Sequence, residues 1–331
     1  MEFLLLLWLG KPLWMWLAFV AIVAALLALD LGVLHRKQRE IGVRESLVLS
    51  AVYIALSLAF GAWVWWYMGE AAGMAYVTGF VIEKSLAMDN VFVIAMIFSY
   101  FAIPRLYQHR VLFWGILGVI ALRAVMIGLG AALVEQFSWA LYVFAAFLIA
   151  TGIKMWAMAD KAYEVGNSPL LRLVQRRFRV TDGLRGQAFW VAEPDPETGK
   201  LRRFMTPLFL ALIMIELVDV VFAVDSVPAI FAITTDPFIV YTSNIFAILG
   251  LRALYFALAA MVDRFHYLKY ALAVLLVFIG SKIFVADALG LAKIPPSVSL
   301  AVTFAILAAG VAWSLWKTRR LPLERAGERP V

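Results

Sequence analysis

The sequence predicts an all-α polytopic membrane protein with about nine transmembrane helices, and three observations carry that prediction. Of 331 residues, 64% are hydrophobic and 15% charged, with a mean hydropathy of +0.91, which is more apolar surface than a soluble domain can bury on itself. Nine apolar stretches each reach the roughly 20 residues that cross a bilayer core. Lys and Arg, finally, fall on one set of alternate loops by 22 to 2, the asymmetry that marks cytoplasmic loops.

The stretches run over 12–34, 46–67, 73–101, 111–134 and 138–158, then over 206–230, 239–262, 268–287 and 297–316. The first is expected to stay in the protein as a span. Its basic flank, Arg36, Lys37, Arg39 and Arg44, follows the apolar run, and no small-residue cleavage site does. The basic loops are those after spans one, three, five and seven together with the tail, so the N-terminus is expected outside and the C-terminus in the cytoplasm. The net charge of +7 is accordingly a matter of topology, not of nucleic acid. Between spans five and six, Gln187 to Glu193 and Lys200 to Phe204 flank Pro194, Asp195, Pro196 and Gly199, a β-hairpin pattern. This loop reads as a structural or regulatory cap, with Phe189 and Trp190 at the membrane surface.

Zero cysteines exclude disulfide and thiolate metal sites, and three histidines leave little for one built from imidazoles, so any metal here is expected to be held by oxygen. The five basic residues left outside the loop count fall within or at the edge of spans: Lys84, Arg123, Lys154, Arg252 and Lys282. They reveal an internal repeat. Glu83-Lys84-Ser85-Leu86-Ala87-Met88-Asp89-Asn90-Val91 aligns with Asp219-Val220-Val221-Phe222-Ala223-Val224-Asp225-Ser226-Val227; Leu122-Arg123-Ala124 aligns with Leu251-Arg252-Ala253; Gly152-Ile153-Lys154 aligns with Gly280-Ser281-Lys282. Span three descends from outside and span six rises from inside, so the repeat of spans three to five and six to eight is inverted, an architecture that places substrate at the midplane between its halves. The chain then divides into peripheral spans (1–72), first repeat (73–158), cytoplasmic loop (159–205), second repeat (206–288), and span nine with a basic tail (289–331).

Glu83, Asp89, Glu216, Asp219 and Asp225 all lie inside spans, where each ionised side chain costs about 2.5 to 3.5 kcal/mol on insertion scales. A cation site explains the cost better than salt bridges alone, since a buried ion pair is often no better than apolar packing. With about 100° per residue, Glu83 shares a helix face with Asn90, and Asp219 with Ser226, while Asp89 and Asp225 point about 120° away. Both acids of a motif reach one cavity only if the helix opens, and Pro228 is the expected break, because its ring removes the donor to the Val224 carbonyl. Phe92 stands at the matching place in span three. Carboxylates with Asn90, Ser226, carbonyls and water suit Mg²⁺, Mn²⁺ or Ca²⁺; a thioether from the neighbouring Met88 or Met214 would favour Mn²⁺, though such methionines are more often expected to pack. Exchange of the metal for protons is the mechanism expected of such a carboxylate cluster. Lys84, Arg123, Lys154, Arg252 and Lys282 are expected as counter-charges or gates, Asp30 as a gate or helix-end residue, and Gly115, Gly118, Gly128 and Gly130 as close-packing surfaces. An intramembrane aspartyl protease is disfavoured because neither Asp89 nor Asp225 follows a glycine, so the chain is not expected to be an enzyme.

The motif Glu83-Lys84-Ser85-Leu86 with Asp89-Asn90, the run Thr206-Pro207-Leu208 leading into Glu216 through Ile230, and Tyr241 through Phe256 together resemble the TerC/Alx integral membrane family. The resemblance extends from Asp30-Leu31-Gly32 to span nine. It implies a manganese exporter of the bacterial inner membrane in the wider LysE-like superfamily, with Mn²⁺ as cargo, no prosthetic group, and the five acids as the transport site. Exchange of Ca²⁺ for protons, or a non-transporting scaffold that delivers metal, are the competing readings.

Overall fold

The computed structural model describes residues 5–32, 42–137, 139–159, 166, 169–194, 199–258, 267–290 and 294–318. A two-residue hairpin, β1 (Leu7–Trp8) and β2 (Lys11–Pro12), precedes α1 (Leu13–Gly32), α2 (Val43–Met68), α3 (Glu70–Tyr100), α4 (Arg105–Gln136) and α5 (Ala140–Met158). A short helix α6 (Pro169–Arg177) and the hairpin β3 (Trp190–Pro194) and β4 (Leu201–Met205) come next. The chain continues through α7 (Pro207–Phe231), α8 (Pro237–Ile248), α9 (Leu251–Leu258), α10 (Leu268–Ala288) and α11 (Pro296–Thr318).

Among the described residues six helices, α2, α4, α5, α7, α10 and α11, are long and apolar enough to cross a membrane, and the bent pair α8–α9 makes a seventh span if counted as one. This is a helical polytopic membrane protein. Two of the nine expected spans fall short of that measure for physical reasons. The apolar run of α1 is short, Leu13–Leu29, and α3, though 31 residues long, carries Glu83, Lys84 and Asp89 within two turns. The side chain of Asp30, the basic flank Arg36 to Arg39 and the hairpin tip 195–198 lie outside the described residues.

Two expectations about helix breaks are corrected. α7 is helical across Pro228 to Phe231. Proline cannot donate to the Val224 carbonyl, but it stands in the final turn, where the N–H of Ala232 closes on the Pro228 carbonyl and few helical bonds remain to be lost. The break lies instead in span seven, read from sequence as one stretch: α8 ends at Ile248 and α9 resumes at Leu251, bent by 41°. Gly250 permits it with φ +79, and the Tyr53 ring lies 2.8 Å from where a β-carbon would stand. Only glycine adopts that conformation at no steric cost.

Glycine also sets the closest helix pair. Gly152 of α5 lies against the Ala273 carbonyl and Val277 of α10, while Gly280 of α10 lies against the Ala145 carbonyl and Ile149 of α5. Along α8, Trp16 and Phe19 of α1, Tyr76 and Phe80 of α3, and Phe238 and Phe246 form a buried aromatic cluster. The strands β3 and β4 pair antiparallel, Trp190 opposite Met205 and Pro194 opposite Leu201. The hairpin runs directly into α7, because Thr206 caps that helix and donates to the Ala188 carbonyl at 2.7 Å. Trp190 rests on Phe209 of the first turn at 5.1 Å between ring centroids, and the Arg110 guanidinium covers Phe189.

Candidate functional site

Four helices meet around one arginine. Small residues let them approach: Gly79 of α3 lies against Ile230 of α7 and Ser243 of α8, and Gly130 of α4 against Phe231 and Val227 of α7. Tyr241 of α8 donates to the Ala124 carbonyl of α4 at 2.7 Å. In the space so enclosed sits Arg123, 1% exposed and the largest fully buried side chain described.

The Arg123 guanidinium donates to Glu83 of α3, to Asp219 Oδ1 of α7 at 3.2 Å, to Ser226 Oγ at 2.9 Å and to Asn244 Oδ1 of α8 at 3.3 Å. Asn90 Nδ2 donates to Asp219 Oδ1 at 3.4 Å. Glu83, Asn90, Asp219, Ser226 and Asn244 are all buried. Removing ions from water is tolerable only when their partners are assembled, and a guanidinium, with five donors in a fixed fork, is the side chain able to serve four acceptors at once. The formal charge of the cluster is minus one: two carboxylates against one guanidinium.

Beside it lies a cavity of about 20 Å³, lined by Asn90, Asp219 and Arg252 together with apolar residues such as Leu112, Ile116 and Phe222. That is room for one water molecule or an ion of similar size. Asn90 Oδ1 and Glu216 Oε2 are buried and take no hydrogen bond from the described residues. Glu216 lies over Gly118, whose missing β-carbon is what leaves space for its carboxylate, with Gly115 one turn away.

The structure thus gathers Glu83, Asn90, Asp219 and Ser226, the residues on the two helix faces that the period of 3.6 singles out, and adds Arg123. It does not bring Asp89 or Asp225 there. Because α3 and α7 are continuous at these residues, Asp89 stays half-buried in the field of Lys269 of α10, and Asp225 is half-buried beside Thr151 and Lys154 of α5. Among the other basic residues, Lys84 donates to the Ala247 and Leu249 carbonyls, Lys282 to Ser299 Oγ at 3.2 Å, Lys154 is exposed, and Arg252 is buried at the cavity. Among the described residues no three acidic or histidine side chains form a cage for a metal by themselves; Arg123 stands where such a cage would close. Asn244 was not singled out from sequence. Its signal was the polar triplet Thr242-Ser243-Asn244 inside an apolar span, all three fully buried.

No solved structure matches the chain. It is 48% identical over 317 residues to an uncharacterized membrane protein of Myxococcus xanthus, covering 96% of each chain. To an uncharacterized membrane protein of Rickettsia bellii it is 49% identical over 296 residues, 89% of this chain and 95% of the relative. It is 46% identical over 327 residues, 96% of this chain and 99% of the relative, to Alx of Escherichia coli K12, described as a candidate membrane-bound redox modulator. The integral membrane protein TerC family profile matches residues 68–321, and the chain belongs to that family.

Proposed function

We propose that the chain exports a divalent cation, Mn²⁺ by the family resemblance, from the cytoplasm across the bacterial inner membrane, with protons moving the other way. The observation that carries this reading is the pair of buried carboxylates, Glu83 and Asp219, on two different helices and bridged by one buried arginine. Arg123 is held there by hydrogen bonds and charge, so an entering cation competes with it for the same oxygens. Asn90, Ser226 and Asn244 add neutral oxygens, the ligands that Mn²⁺, Mg²⁺ and Ca²⁺ accept.

In this reading α1 and α3 join the seven apolar spans, so that nine spans cross with the N-terminus outside. Spans three to five and six to eight form the inverted repeat. The reciprocal seating of Gly152 and Gly280 supports it, since each glycine receives the partner helix at a matching place. Arg123 and Arg252 are repeat-related, and each borders Asp219 or the cavity beside it. A thiol–disulfide route to redox modulation is closed to a chain without cysteine.

The test is cation flux into liposomes that hold a Mn²⁺-sensitive dye, with and without a pH gradient. Wild type is expected to carry Mn²⁺ in preference to Mg²⁺ and Ca²⁺, and Glu83→Gln and Asp219→Asn to abolish that flux. Faster Ca²⁺ than Mn²⁺ would transfer the assignment to a calcium exchanger. No flux of any cation from folded protein would leave the scaffold reading in its place.

A further inference from the structure

The break in span seven ends one helix among buried residues, and the last turn of any α-helix leaves carbonyls without an intrahelical partner. Away from water each such group costs several kcal/mol unless something donates to it. At the end of α8 the donor is Lys84 of α3, whose Nζ lies 3.0 Å from the Ala247 carbonyl and 3.4 Å from that of Leu249. Its side chain is buried, and among the described residues it pairs with no carboxylate. A cation at a helix C-terminus also meets the negative end of the helix dipole. On the other side Ser57 Oγ of α2 donates to the Tyr53 carbonyl at 2.7 Å and lies 3.4 Å from the Phe246 carbonyl, and Tyr53 of α2 covers Gly250.

The helix beyond the break reaches the site. α9 starts at Leu251, and its second residue is Arg252, which borders the cavity with Asn90 and Asp219. α8 is tied to the same neighbourhood through Asn244, which accepts from Arg123. The neighbours Glu83 and Lys84 therefore hold two different things: one binds the central guanidinium, the other the end of the helix whose continuation carries Arg252.

We infer that Lys84 is a positioning residue, a latch whose ammonium fixes the α8–α9 break and thereby sets Arg252 at the cavity beside Asp219. Only the consequence for transport rests on the proposed function; the latch itself does not. Because the chain has no cysteine, a single introduced thiol reports on the break without background. Ala253→Cys, at a position 6% exposed in α9, is compared with Ala286→Cys, equally buried in α10, for labelling by a water-soluble maleimide in nanodiscs. Adding Lys84→Met is expected to speed labelling at 253 by at least about tenfold and to leave 286 unchanged, since a freed helix end opens locally. Lys84→Arg, which still donates to both carbonyls, is expected to restore slow labelling. Equal rates at 253 with Lys84 and with Met would overturn the latch. If Lys84→Met exposes both reporters, Lys84→Gln replaces it, and the same two rates decide. In liposomes Lys84→Met is expected to lower the turnover of Mn²⁺ at least about tenfold with KM within about twofold, the pattern of a group that positions but does not bind cargo. Absence of wild-type flux would refute the transport reading while the labelling rates still settle the latch.

Discussion

Arg123 is the side chain on which the centre of the molecule depends. Its guanidinium answers Glu83, Asp219, Ser226 and Asn244 together, so removing it leaves two buried carboxylates with no cation between them. Breaking a buried pair from one side costs about 3–5 kcal/mol, and Arg123→Gln is expected to lower the thermal unfolding temperature of the solubilised protein accordingly. Arg123→Lys keeps the charge but not the fork, and is expected to fall between. If a cation can take the place of the guanidinium, millimolar Mn²⁺ stabilises Arg123→Gln more than wild type in the same unfolding assay. An equal effect on both proteins would count against competition for one set of oxygens.

At the scale of elements, the departure from regular helix is at Gly250. An L-residue there meets both a left-handed backbone and the Tyr53 side chain at 2.8 Å. Gly250→Ala is expected to destabilise by at least about 1–2 kcal/mol from the backbone alone, with the ring contact adding to it. Placing Gly250→Ala on a Tyr53→Ala background is expected to recover the part due to the ring, so the two substitutions will not add. Urea unfolding of the four proteins in detergent measures it; strict additivity would show that the ring contact contributes nothing. Pro228 teaches the complementary lesson. A proline in the last turn of a helix removes one donor where the helix is about to end in any case, so the helix reaches Phe231 unbroken.

At the scale of the whole molecule, the most extensive helix contact among the described residues is that of α5 with α10. A β-carbon at Gly152 would stand 2.7 Å from the Ala273 carbonyl oxygen, and one at Gly280 would stand 2.5 Å from the Ala145 carbonyl oxygen. Both obstacles are backbone, which cannot swing aside as a side chain would. Gly152→Ala and Gly280→Ala are each expected to cost about 1–3 kcal/mol as overpacking. An inverted repeat predicts similar losses for the two. Thermal unfolding that finds one of them neutral would show that the interface is not built the same way twice.

Composition, the lengths of apolar runs and the bias of Lys and Arg were enough to establish a helical membrane protein, because the bilayer imposes those features on the chain directly. The helical period, applied to Glu83, Asn90, Asp219 and Ser226, also placed these four on common faces, since residues seven apart on a straight helix align. Other features depended on residues distant in sequence. That Arg123, and not an opened helix, gathers the acids is a consequence of the approach of α3, α4, α7 and α8 at Gly79, Gly118 and Gly130. That Asp89 and Asp225 stand apart is a consequence of two continuous helices, α3 and α7, the second of which was expected to open at Pro228. The break at Gly250 and its donor, Lys84, lie more than 160 residues apart along the chain. A glycine in an apolar run is silent about its φ angle, and a lysine in a span does not name the carbonyls it will meet; packing decides both.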